Sequence, residues 1–132
     1  MAIISGAGQT VGGSFTGTAK SIELVGSHCF AYSGAAAAAS GAGTDYLDFT
    51  TGNYYVVARV QWYYLAGATN DVNYRHYMNE TKIIDYIVSD SPGNSEPDNP
   101  VWVVIPPYTR FRTNAQGSQQ QMCVLTGTVY RD

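Results

Sequence analysis

From Tyr54 to Tyr64 the chain alternates. Tyr54, Val56, Ala58, Val60, Trp62 and Tyr64 fall on one side, and Arg59 and Gln61 on the other. A two-residue period in β-branched and aromatic residues predicts a strand with one core face and one mixed face. "GATND" then predicts a turn. "VNYRHYMNE" resumes the alternation, setting Val72, Tyr74, His76 and Met78 against Asn73, Arg75 and Tyr77. "TKIIDYIVS" aligns Ile84, Tyr86 and Val88 as a third strand. The loop "DSPGNSEPDNP" is dense in turn formers. After it come "VWVVI", a double proline, "YTRFRT", the turn "NAQGS" and a last strand "QQMCVLTGTVYR".

The double proline separates two strands for a physical reason. Pro106 and Pro107 cannot donate to a β-ladder, and each fixes φ near −65°. The corner is therefore stiff, and it presents Tyr108 and Arg110 reproducibly.

Upstream the pattern is weaker. "KSIELVGSHCFAYS" predicts one or two short strands. In "GAAAAASGAG" alanines favour helix, but flanking glycines leave the run too short to be helical on its own. It reads as a loop of small residues with a helical turn. Residues 1–20 carry scattered Ile, Val and Phe among Gly, Ser, Thr and Ala, and read as an extended N-terminal arm, either a frayed terminus or a segment that orders against a neighbouring subunit. Residues 21–132 then form one domain. Many short strands, uneven loops and no credible helix predict an all-β fold, a jelly-roll β-sandwich of about eight strands.

Composition adds one fact that changes this picture. Of 132 residues, 45% are apolar but only 13% are charged, about half the usual share. Ser, Thr, Asn, Gln, Gly and eleven tyrosines must cover the surface instead, which suits a secreted protein or one locked into an assembly. A net charge of −3 speaks against nucleic acid as a partner. No apolar run has the length of a membrane helix, and "MAIISGAGQT" lacks the basic start and long apolar run of a signal peptide.

The candidate chemistry is sparse. Asp90, Asn94, Glu96 and Asp98 are hard oxygen donors suited to calcium, but their spacing is not that of an EF-hand, and a solvated turn is the expectation. His28, Cys29, His76 and Cys123 lack zinc-ligand spacing. His76 is expected to be a hydrogen-bonded core histidine, and the two cysteines to be buried free thiols. With no GxSxG elbow and two histidines, the chain reads as a non-enzyme with no cofactor and no metal. "NET" at Asn79 reads as a turn between strands.

The run "LDFTTGNYYVVARVQW", the polar strand pair after it, "VWVVIPPYTRFR" and the closing "VLTGTVYR" resemble small jelly-roll structural proteins of tailed bacteriophages. The likeness spans residues 45–130 and rests on strand order and the "IPPYT" corner. "FTTGNYYVVA" is also similar to the strand entry of complement- and tumour-necrosis-factor-type jelly rolls, without the collagen-like stalk of the complement type. The phage resemblance implies a virion protein that decorates or cements a capsid. Its partners would be the major capsid protein or other virion proteins, and it would form a homo-oligomer, a trimer.

Tyr and Arg are favoured at interface centres. Tyr55, Arg59, Gln61 and Tyr63 lie beside Asn73, Arg75 and Tyr77 if their strands pair; with Tyr108 and Arg110 they are the candidate interface. The alternative is a receptor- or carbohydrate-binding head on a virion, whose marker is exposure of Trp62 and Trp102.

Overall fold

The computed structural model describes residues 19–39, 41–64, 72–88, 100–117 and 120–131, without the side chains of Tyr64 and Val88. Ten strands account for most of them: β1 (Glu23–Val25), β2 (His28–Tyr32), β3 (Ala36–Ala37), β4 (Thr44–Thr50), β5 (Tyr55–Tyr64), β6 (Val72–Met78), β7 (Thr81–Val88), β8 (Val101–Ile105), β9 (Arg110–Gln116) and β10 (Gln120–Tyr130). There is no helix among the described residues, so none there is long and apolar enough to cross a membrane. The fold is all-β, as the alternation predicts.

The strands form two antiparallel sheets packed as a sandwich. Sheet 1 runs β1-β2-β10-β5-β8, with β3 also on β10; sheet 2 runs β4-β9-β6-β7. The pairing is nested. β6 pairs with β7, β5 with β8, β4 with β9 and β2 with β10, as in one long hairpin folded back over itself.

Alternation decides what lies between the sheets. Val56, Ala58, Val60 and Trp62 of β5 are buried, as are Val72, Tyr74 and His76 of β6. Trp62 is the centre of the core. It stacks on Tyr74 at 4.4 Å and meets Tyr46 edge-on at 5.2 Å, both favourable ring geometries. Two hydroxyls also tie the sheets together. Tyr74 donates to Gln121 Oε1 at 2.6 Å, and Tyr46 donates to the Ala36 carbonyl at 2.6 Å.

The proline corner carries the chain from β8 in sheet 1 to β9 in sheet 2. It lies against the β4–β5 crossing. Thr51 Oγ1 donates to the Pro106 carbonyl at 2.7 Å and accepts from the Thr109 N–H at 2.9 Å. The Tyr108 N–H donates to the Gly52 carbonyl at 2.9 Å. "NET" is the β6–β7 turn, where Asn79 and Glu80 both have positive φ, 49° and 67°, as a type I′ hairpin requires.

Two expectations change. The alanine run holds no helical turn. Ala36–Ala37 pair with Gln120–Gln121, and Ala39 bridges Gln116. Small side chains let this stretch continue the path of β2 along β10, where ladder hydrogen bonds override alanine's helix propensity. Second, β5 and β6 do not pair. They are consecutive in sequence but belong to different sheets. Of the expected arm, only residues 19 and 20 are described: Ala19 bridges Leu47, donating to the Tyr46 carbonyl and accepting from the Asp48 N–H. The oxygen donors Asp90, Asn94, Glu96 and Asp98 lie outside the described residues.

Candidate interaction face

The two outward faces of the sandwich have opposite chemistry. On sheet 2, Arg110 grips Asp48 with two hydrogen bonds, Nε to Oδ1 at 2.8 Å and Nη2 to Oδ2 at 2.9 Å, and reaches Glu80 at 2.5 Å. Arg112 donates to Asp45 at 3.0 Å and to Glu80 at 2.9 Å, and its guanidinium lies 4.2 Å from the Tyr77 ring centroid. Asn114 also donates to Asp45, Arg75 donates to Gln116, and Lys82 pairs with Asp85. Hydrogen bonds from Arg110 hold the Asp48 carboxyl below its usual range, and the same pairing raises the Arg110 pKa. Burial works against the Arg112 charge, but its bonds to Asp45 and Glu80 outweigh it, and its pKa is raised. The charged groups of this face are paired within the chain, while Asn73 Oδ1 has no hydrogen-bond partner among the described residues and Ile83 and Ile87 of β7 are exposed.

Sheet 1 presents something else. Its pairing register aligns side chains in rows across five strands. One row reads Glu23, Phe30, Thr126, Arg59, Trp102. The next reads Val25, His28, Thr128, Val57, Val104. A third places Tyr32 beside Val124 and Gln61. Tyr55 and Tyr130 are paired at one end, and Tyr63 and Met122 at the other. Trp102 is 67% exposed and Val104 56%. Val25, Tyr32, Tyr55 and Tyr130 are also exposed beyond what such residues usually are. Among the described residues, Glu23 and Arg59 are the charges in these rows. They sit three strands apart, about 14 Å at the usual strand spacing, too far to pair with each other.

The predicted interface residues therefore divide. Tyr55, Arg59, Gln61 and Tyr63 are on the outer face of sheet 1. Asn73, Arg75, Tyr77 and Arg110 are on the outer face of sheet 2, on the opposite side of the molecule. They do not form one surface, because β5 pairs with β10 and β8 while β6 pairs with β9 and β7. Arg75 and Arg110 already have partners within the chain. Tyr108 stands apart on the proline corner, 71% exposed.

Sequence reasoning passed over Phe30, Tyr32, Val104 and Tyr130, and named Trp102 only as a marker of a binding head. One signal was available. "VWVVI" is apolar at every position, the pattern of a strand covered on both faces. In the fold it is an edge strand with one face open.

Buried chemistry lies in the core. His76 is fully buried and accepts a hydrogen bond from Trp62 Nε1 at 3.0 Å; burial depresses its pKa to about 4. His28 is on the outer face of sheet 1. Cys29 and Cys123 are free and buried. Burial pushes the Cys123 thiol up to about 12 and raises Cys29, where a backbone hydrogen bond with Gly127 opposes it. No group of three His, Cys, Asp or Glu residues is placed to share a metal among the described residues.

No family model, curated protein or solved structure matches the chain. The bacteriophage resemblance rests on the quoted residues alone.

Proposed function

We propose that this chain is a non-enzymatic structural protein of a virion, one that decorates or cements a capsid through protein–protein contacts made by the outer face of sheet 1. The observation that carries this reading is the chemical split between the two sheet faces. Charged groups paired within the chain gain little from a partner, because their bonds are already made. A face of Trp, Tyr, Phe and Val with two charges gains by leaving water.

The nested strand pairing supports reading the sandwich as a jelly roll, in which eight strands form two Greek keys. β1 and β3 are short additions to those eight. Arg110 and Arg112 of sheet 2 are held by carboxylates, which leaves them poor ligands for a phosphate backbone and favours protein partners: the major capsid protein, other virion proteins and sister copies. The test is to purify particles from the source of the chain, quantify it by mass spectrometry and locate it by electron microscopy. A fixed copy number per particle and a surface density fitting the sandwich are expected. Its absence from intact particles would refute the role.

Trp102 favours a second reading. Trp62 is buried in the core, but Trp102 is open on an edge strand, as in a carbohydrate- or receptor-binding head. A glycan screen in which binding is lost on Trp102→Ala would favour that head over a cement.

A further inference from the structure

We infer that the β1, β2, β10 and β5 part of the outer face of sheet 1 is covered by the same part of a second copy, related by a two-fold axis parallel to the strands that passes between β2 and β10. The inference rests on the reading of this face as an interaction surface and gives it an occupant.

The register supplies the argument. β2 and β10 flank the axis, and β1 and β5 lie one strand further out on either side. Rotation by half a turn sets β1 of one copy over β5 of the other, and β2 over β10. Row then faces row. Glu23 faces Arg59 of the other copy, and the contact occurs twice. Val25 faces Val57, Phe30 faces Thr126, and Tyr32 faces Val124. Acid meets base, valine meets valine and Tyr32 meets Val124, while Phe30 and His28 meet threonines. Glu23 has a hydrogen bond from Ser21, at 2.8 Å, but no cation, and Arg59 has no ion-pair partner among the described residues. Stacked sheets lie about 10 Å apart, a gap that an arginine and a glutamate span together.

About this axis β1, β2, β10 and β5 face one another, and β8, with Trp102 and Val104, extends past β1 of the other copy. Symmetry agrees with the pairing. A cyclic trimer needs two different complementary patches on each subunit, whereas a two-fold needs one self-complementary patch. Among the described residues the rows of sheet 1 are self-complementary in charge across β1, β2, β10 and β5. The face therefore favours a dimer over the three-fold assembly that the phage resemblance implies.

Sedimentation of the full chain at micromolar concentration tests this. A dimer is expected. Glu23→Arg and Arg59→Glu each oppose like charges twice and should weaken the dimer about tenfold or more, and the double exchange should restore it to within about threefold. Both sites are exposed, and thermal melts check that every variant folds. A monomer, a trimer, an assembly indifferent to both single exchanges, or a double exchange that fails to restore would each overturn the inference. Particle binding by a purely monomeric chain would overturn it while sparing the structural role; a charge-dependent dimer absent from particles would do the opposite.

Discussion

Trp62 Nε1 donates a hydrogen bond to His76 Nε2 at 3.0 Å, from β5 in one sheet to β6 in the other. Because Nε2 accepts, the neutral ring carries its proton on Nδ1. Nδ1 is buried and has no hydrogen-bond partner among the described residues. A second proton would go onto Nε2, facing the indole N–H donor, at a fully buried position. The site holds one tautomer of neutral histidine and resists its cation.

Stability should therefore fall on acidification. The folded pKa of about 4 lies below the ordinary 6.5, so the unfolded chain binds the proton more readily. The stabilisation is fully present above about pH 6.5 and is lost as pH falls toward about 4. Between pH 7 and pH 5 the loss from this group is about 2 kcal/mol. Urea titrations at the two pH values measure it. His76→Gln, whose amide oxygen can accept the Trp62 N–H, should flatten the dependence. Asp48 adds a loss of the same sign at lower pH, as its depressed carboxyl protonates.

Gly127 of β10 leaves no room for a side chain against β5. A Cβ built there would meet the Val57 carbonyl and lie 2.6 Å from Cα and Cβ of Ala58. The obstacle is backbone, which cannot rotate aside. Gly127→Ala should destabilise by about 3 kcal/mol, at the upper end for an overpacked site. A chemical denaturation midpoint close to that of the native chain would show that the strands can spread.

Alternation made the inward set of β5 and β6 legible, because a two-residue period fixes which side chains share a face. It could not say which strand lies beside which. Val60 and Val72 read alike whether their strands are neighbours or face each other across the core. The outer face of sheet 1 is assembled from β1, β2, β5, β8 and β10, so Trp102 beside Arg59 is invisible until the register is known. Arg110 read as an interface residue because its carboxylates, Asp48 and Glu80, come 62 and 30 positions away. The proline corner was legible because its chemistry is local.

Cys29 and Cys123 should both count as thiols. Cys29 stands opposite Gly127, four positions along β10 from Cys123, about 13 Å by strand rise. A disulfide needs Cα atoms within about 7 Å. Both sulfurs are buried and both thiols are raised in pKa, so little nucleophilic thiolate forms. Native protein should react with Ellman's reagent slowly or not at all. Unfolded, unreduced protein should give two thiols per chain; finding none would refute the pairing that the fold imposes.

Tyr108 is held at φ 54° on the proline corner, a left-handed conformation uncommon for a bulky residue. Pro107 before it has fixed φ, and the Tyr108 N–H is bound to Gly52, so the backbone cannot relax without breaking that bond. The side chain gains little in return, since most of it faces water. Asparagine tolerates the left-handed region and keeps the N–H donor. Tyr108→Asn should therefore raise stability by about 1 kcal/mol, read as a higher melting temperature with unchanged circular dichroism. The corner lies off the rows of sheet 1, so the same variant should leave self-association through that face unaltered. A fall in melting temperature would mean that the ring packs on something that stabilises it. A stable variant with weakened assembly would move the contact surface toward the corner.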